Sequence, residues 1–278
     1  MDEKIHVNEL RIKEGTNIML TLEGRTCVFA GATGGDGIMS ARELCKYGMN
    51  VVMMTHQMTQ AQALMSEINE MNYRGKCLAV QDGKCQTPPK SDKEVFKDIY
   101  DTFGSIDVII CNTGDDGVED SIDSVDTQTL LKSIDHLVGG SYTLLKSGLP
   151  YLRKSRAARV IFMTTVEGVK GGILESFSNA VAKGAVASLT KNCAARLASE
   201  HINVNCIVKG PIERIKPESI RDKALPPMKD TTKFLPNVPA GRMGTAEDLA
   251  QAICYLASEE IEFTTGTFLD LSGGMNLL

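Results

Sequence analysis

The chain contains no tryptophan, and aromatic residues make up only 5% of its 278 positions. Grooves for sugars or single-stranded nucleic acid are built from stacked rings, so this composition argues against both. No apolar run reaches the about 20 residues that a membrane-spanning helix requires, and the N-terminus shows no signal-peptide pattern. Lys and Arg total 30 against 35 Asp and Glu, a net charge of −5, and they form no dense block. Neither nucleic acid nor an anionic membrane is therefore expected as a partner. The eight cysteines, at 27, 45, 77, 85, 111, 193, 206 and 254, include no CxxC pair. They read as reduced thiols of a cytoplasmic protein, not as a disulfide framework. No histidine or cysteine spacing supports a metal site.

What the chain does have is glycine in one telling place. Cys27, Val28, Phe29 and Ala30 make a short apolar run, the length of a buried strand. Gly31, Gly34, Gly35 and Gly37 follow within seven residues. Then Ile38, Ala41, Leu44 and Cys45 fall on one helical face, and Gly48 stands where that helix would stop. A strand, a glycine turn and a helix in this order can hold the phosphates of a nucleotide. Glycine lets the backbone approach the pyrophosphate, and the helix N-terminus offers N–H groups to its charge.

The rest alternates in the same way. Strands are predicted at 50–55, 77–81, 106–111, 159–163, 202–208 and 267–271. Helices are predicted at 60–72, 92–103, 127–152 with an interruption at Gly139-Gly140, 180–199, and after a cap at Thr245. The alternation implies an α/β fold, a Rossmann-like doubly wound parallel sheet of about seven strands in a three-layer sandwich. With 42% hydrophobic residues, one large core is affordable. No linker divides the chain, so we expect a polar extension at 1–22 and a single domain over 23–278. The proline-rich, charged segment 211–240 has no periodicity and reads as a substrate-binding loop.

Several motifs then coincide, and the chain from about residue 22 onward resembles the short-chain dehydrogenase/reductases. The stretch 30–37 is similar to that family's TGxxxGxG turn, with alanine first. Asp82 matches its adenine-contacting aspartate. Cys111-Asn112-Thr113-Gly114 stands where NNAG is usual, and Lys183 where the YxxxK lysine belongs. Lys209-Gly210-Pro211-Ile212 matches the proline-glycine loop, with Lys209 in the first proline's place. Gly241-Arg242-Met243-Gly244 and Ser272-Gly273-Gly274 match late signatures. The resemblance implies a dinucleotide held by Gly31, Thr33, Gly34, Gly35, Asp36, Gly37, Ile38, His56, Asp82, Asn112, Gly114, Lys183, Gly210 and Ile212. Thr55 and His56 after the second strand carry no carboxylate for a ribose 2′-OH, which puts NADP ahead of NAD. The family's habit of pairing through two long helices, here 127–152 and 180–199, implies a homodimer or homotetramer.

The catalytic positions depart from the pattern. The residue four before Lys183 is Asn179, whose amide cannot act as a general acid. Thr165 keeps the hydroxyl of the family's serine, and His136 stands at the asparagine of its water relay. The Thr164-Thr165 pair, the Gly-Pro-Ile loop and the Gly-Arg-x-Gly-Thr turn also resemble 2,4-dienoyl-CoA reductases. Their donor tyrosine, just after the threonine pair, falls nearest Glu167. Three readings stay open. The protein is a divergent reductase of a small carbonyl or enoyl-thioester substrate, with Glu167 or His136 as proton donor. It is a catalytically silent dinucleotide sensor or scaffold subunit. Or Asp36 repels the phosphates and spoils binding, its bland role being a helix N-cap. Asp107 and the acids at 115, 116, 119 and 120 read as solvated charges.

Overall fold

Along β1 (Thr26–Ala30), Cys27 and Phe29 enter one apolar cluster and Val28 another, and all three are fully buried. A strand buried on both sides needs cover on both, which parallel sheets obtain from crossover helices. The computed structural model describes residues 20–114, 120–173, 175–213 and 232–277. Within them, β1, β2 (Asn50–Thr55), β3 (Cys77–Gln81), β4 (Val108–Cys111), β5 (Ala158–Thr165), β6 (Ile202–Lys209) and β7 (Phe268–Leu271) form one parallel sheet. The order is β3-β2-β1-β4-β5-β6-β7. Helices α1 (Gly37–Lys46), α2 (Met58–Glu70) and α8 (Ala246–Ala257) bury Leu44, Leu64 and Ile253 against one face. Helices α3 (Asp92–Phe103), α5 (Gly140–Leu152) and α7 (Phe177–Leu197) bury Phe96, Leu145 and Val186 against the other. The strand order reverses between β1 and β4, and such a reversal opens a crevice at the carboxyl ends of the strands.

The expected sheet forms, with local differences that have physical causes. β5 runs on to Thr165, whose hydroxyl accepts the Gly168 N–H and starts the short α6 (Val166–Lys170), which no periodicity announced. α7 begins at Phe177, not at 180. Asp120 accepts from the Ser178 N–H at 3.0 Å and from its hydroxyl, placing an anion at the helix start. So Asp120 is an anchoring charge and not a solvated one. The expected break in 127–152 is a π turn, Asp135–Gly139, between α4 (Thr127–Ile134) and α5. Its extra residue per turn lets the helical rod continue instead of ending at the glycines. Thr245 does cap α8, in a reciprocal box with Asp248.

Leu22 is fully buried and Leu20 packs on the same cluster. Residues 1–19, the acids at 115, 116 and 119, and 214–231 of the substrate loop lie outside the described residues.

Asp107 overturns a second solvated-charge reading. It is buried and accepts the Thr26 N–H at 2.9 Å, the Ser105 hydroxyl at 2.7 Å and the Ser155 hydroxyl at 2.6 Å. The carboxylate thus ties the start of β1 to the turns before β4 and β5. Close by, the Arg25 guanidinium donates to the Ala157 and Ala257 carbonyls, and burial lowers its pKa while Asp107 raises it. Asp107→Ala strands three donors in the interior. The expected loss is about 3 kcal/mol, read from the urea midpoint; a shift below about 1 kcal/mol would show that the network does not hold these strands.

Candidate functional site

The turn after β1 closes only because it is glycine. Gly31 has φ of +84°, and a Cβ there would lie 2.2 Å from the Asn112 carbonyl oxygen. A Cβ on Gly37 would lie 2.4 Å from the Gly31 carbonyl oxygen. The turn is therefore pressed on the end of β4 and folded on itself. The Gly37 and Ile38 N–H groups both donate to Gly34, and Gln60 Nε2 donates to the Thr33 carbonyl at 2.9 Å. Ile38, in the first turn of α1, is buried, while Gly34 is exposed and Gly35 half-buried.

Asp36 stands at the N-cap of α1 but makes no side-chain cap bond. Its carboxylate turns instead to β6. Lys209 Nζ lies 2.7 Å from Asp36 Oδ2, and both side chains are 17% exposed. The same ammonium donates to Asn112 Oδ1 at 2.8 Å, and Asn112 Nδ2 reaches Asp36 Oδ1 at 3.3 Å. The N-cap role is thus corrected to a three-sided junction across the ends of β1, β4 and β6. From sequence, Lys209 stands only as the lysine in the first proline's place, with no role assigned. Its signal was there: an acid and a base replace uncharged residues in two motifs of one chain.

One strand further along the edge, α7 brings Lys183 under the crevice, 4% exposed. Its ammonium donates to the Thr113 carbonyl at 2.8 Å and the Met163 carbonyl at 3.3 Å. Its pKa falls from 10.5 to about 8, first through burial and then through Lys209, with Glu175 and Asp36 opposing. Thr165 and Asn179 converge on a residue that sequence reading missed. Glu175 Oε2 accepts from the Thr165 hydroxyl at 2.9 Å and from Asn179 Nδ2 at 3.0 Å. Asn179 Oδ1 is buried with no partner among the described residues. Glu167 is buried too, folded against Gly172, and its Oε2 accepts the Glu175 N–H at 3.0 Å. Beside it opens a cavity of about 280 Å³ lined by Glu167, Lys170, Ile173, Asn237 and Met275.

Other expected residues sit further out. His56 is exposed at the end of β2, and Asp82 closes β3 with its N–H on the Thr55 carbonyl. Gly114 is exposed beyond β4. A Cβ on Gly210 would meet Ser272 Cα at 2.7 Å, and Ile212 pairs with Gly244 in an isolated bridge. His136 is exposed on the π turn. The turn, Asp36, Asn112, Lys183, Lys209, Thr165, Asn179 and Glu175 therefore share the carboxyl edge, while His56 and Asp82 lie on the strands to one side.

Two predictions follow from these charges. Lys209→Met and Asp36→Asn each leave one half-buried charge without its partner. In a double-mutant cycle, the double variant is expected to be about 1–2 kcal/mol more stable than the two single losses added together; a coupling of zero in urea denaturation would sever the pair. Lys183 has a depressed folded pKa, so between about 8 and 10.5 the unfolded chain binds a proton that the folded chain does not. Wild-type stability relative to Lys183→Met is thus expected to rise across that window and stay flat below it. A difference that does not change with pH would show that the amine titrates normally.

Comparison with known proteins agrees with this geometry. A family model described as enoyl-(acyl carrier protein) reductase matches residues 31–276. The 3-oxoacyl-acyl-carrier-protein reductase of Vibrio cholerae is 31% identical over 267 residues, spanning 93% of this chain and 100% of that protein. The enzyme of the same name from Haemophilus influenzae is 30% identical over 264 residues, 92% of this chain and all of that protein. With the glycine turn at the strand-order reversal and Lys183 beneath it, the chain belongs to the short-chain dehydrogenase/reductase family of oxidoreductases.

Proposed function

We propose that the protein is an NADP(H)-dependent reductase of an acyl thioester, acting on its carbonyl or conjugated enoyl group. The observation that carries this reading is Lys183, buried one helical turn after Asn179 and donating to the Thr113 and Met163 carbonyls at the carboxyl edge. A buried cation there suits a ribose held beside the strand ends. The remaining residues fit a dinucleotide. The turn admits no Cβ at Gly31 or Gly37 and opens a ten-residue helix, which suits a diphosphate. The Asp36 charge is balanced by Lys209, so the repulsion that would have argued against phosphate is offset. Asn179 Oδ1 is a buried acceptor still open to a ribose or substrate hydroxyl. His56 at the end of β2 brings no carboxylate, which favours the 2′-phosphate of NADP over NAD.

When bound, the nicotinamide supplies the hydride. The chain's own residues supply orientation and the proton: Lys183 holds the ribose, and Thr165 offers a hydroxyl to the substrate oxygen. The cavity beside Glu167, partly apolar through Ile173 and Met275, suits a short acyl chain. The thioester class is carried over from the relatives, whose names specify 3-oxoacyl chains on acyl carrier protein. Pairing through the helices 127–152 and 180–199 as a homodimer or homotetramer belongs to the same proposal, as does a cytoplasmic location.

A second reading has one observation in its favour. Asn179 stands where proton transfer would be expected and cannot perform it, which suits a silent dinucleotide-binding subunit. One experiment separates the two. NADPH and NADH are titrated by cofactor fluorescence, undisturbed by tryptophan, and then 3-oxoacyl and 2-enoyl thioesters of coenzyme A are added. Saturable binding with NADPH preferred by about tenfold or more, followed by oxidation of NADPH, is expected. Binding without turnover would favour the silent subunit, and no saturable binding of either nucleotide would remove both.

A further inference from the structure

The reductase reading leaves its proton unassigned. A reduced carbonyl oxygen must receive one, and Asn179 has none to give in this pH range. The candidates from sequence are poorly placed for it. His136 is exposed on the π turn. The Glu167 carboxylate is turned to the Glu175 N–H. Lys183 directs its ammonium to two backbone carbonyls. Among the described residues, the ionisable group that hydrogen-bonds the Thr165 hydroxyl is Glu175, at 2.9 Å.

We propose that Glu175 supplies and recovers the substrate proton through the Thr165 hydroxyl, in the role that the tyrosine four before Lys183 plays elsewhere in the family. This rests on the reductase reading above.

The Thr165 hydroxyl has one hydrogen and two lone pairs. One lone pair accepts the Gly168 N–H at 3.3 Å. With Glu175 ionised, the hydroxyl hydrogen points to Oε2 and is not offered to a substrate. With Glu175 protonated, its O–H donates into the second lone pair of Thr165, and the threonine hydrogen is released towards the substrate oxygen. In the reduction, a hydride from the nicotinamide forms the new C–H bond and the C=O π pair moves to oxygen. That oxygen takes the Thr165 proton, Thr165 takes the Glu175 proton, and Glu175 is left as carboxylate, to be reprotonated by water. NADPH is oxidised, the carbonyl is reduced, and one solvent proton is consumed. Alcohol oxidation runs the same path backwards. Asn179 and Glu167 are positioning residues: Nδ2 of the first and the carboxylate of the second fix the Glu175 side chain and its amide.

The test uses the full-length protein and its Glu175→Gln, Glu175→Asp and Thr165→Val variants, with acetoacetyl-CoA as probe. Glu175→Gln keeps the shape of the side chain but loses the proton. Its kcat is expected to fall by about 100-fold or more, while the NADPH dissociation constant, read by fluorescence titration, stays within about twofold. Below the Lys183 titration at about 8, the kcat of the wild type is expected to fall as pH rises and the carboxyl group loses its proton. Glu175→Asp keeps that limb with a shifted midpoint, and Glu175→Gln lacks it. A merely structural role would change affinity or melting temperature and leave the pH profile of Glu175→Asp where it was. Glu175→Gln with near-wild-type kcat and an unchanged pH profile would overturn the assignment of Glu175 alone. If that variant does not fold, an unshifted midpoint in Glu175→Asp does the same. A wild type that binds NADPH but reduces neither thioesters nor ketones would overturn the reductase reading and the relay together.

Discussion

Asn112 holds the crevice together. Its N–H donates to the Ala30 carbonyl at 2.9 Å, extending the β1–β4 pairing by one residue past β4. Its carbonyl oxygen lies so close to Gly31 that no side chain fits between. Its side-chain amide takes Lys209 on one atom and gives to Asp36 on the other. One residue therefore fixes the backbone distance between two strand ends and the polar contacts that reach a third. The glycine turn has its shape because β4 ends where it does. α1 starts from that turn, and the helix N-terminus lies over the strand-order reversal for the same reason. A site at such a reversal is a matter of topology, but its tightness here depends on this amide.

The electrostatics of the edge follow from that junction. Two lysines, Lys183 and Lys209, lie near enough for the second to depress the pKa of the first. Two buried or half-buried cations at such range are costly unless acids stand with them. Asp36 does so against Lys209, and Asp36 and, in its ionised form, Glu175 pull the Lys183 pKa back up. The acids come from the β1 turn and from the segment before α7, the bases from β6 and α7. The charges are thus contributed by three separate stretches of the chain, around 36, 175–183 and 209, and meet only when the sheet is complete. Local sequence cannot show such a balance, because no two of these residues are close neighbours.

That limit explains what was legible in the sequence and what was not. The seven strands, their parallel sense and the position of the glycine turn follow from period and punctuation, which are local. The early start of α7 and the short α6 after β5 rest on single side-chain contacts, Asp120 on Ser178 and Thr165 on Gly168, that periodicity does not encode. Asp107 was misread because an acid in a strand run resembles a solvated one until its three donors are assembled from 26, 105 and 155. Lys183, Thr165 and Asn179 were found through motif spacing. Glu175 was not, since it precedes a helix in a segment without motif, and only the fold carries it to Thr165.

Asp36 shows how a departure from a pattern should be weighed. Taken alone, an acid in a phosphate-binding turn reads as damage, since like charges repel across a short distance. Lys209, taken alone, reads as a lysine that has displaced a proline at the end of a strand. In the fold they are 2.7 Å apart and share Asn112. Each removes the penalty of the other: the acid would otherwise face the phosphates uncompensated, and the base would add a second bare cation beside Lys183. An ion pair thus joins the glycine turn to the end of β6, so neither charge faces the crevice without a counter-ion. The same logic applies one turn along. Asn179 removes an ionisable group from α7, and Glu175 brings one back within hydrogen-bonding distance of the same threonine and asparagine. Two motif positions that look like losses are each met by a residue of the missing chemistry arriving from another part of the chain, and that pairing argues for a rebuilt site over an abandoned one.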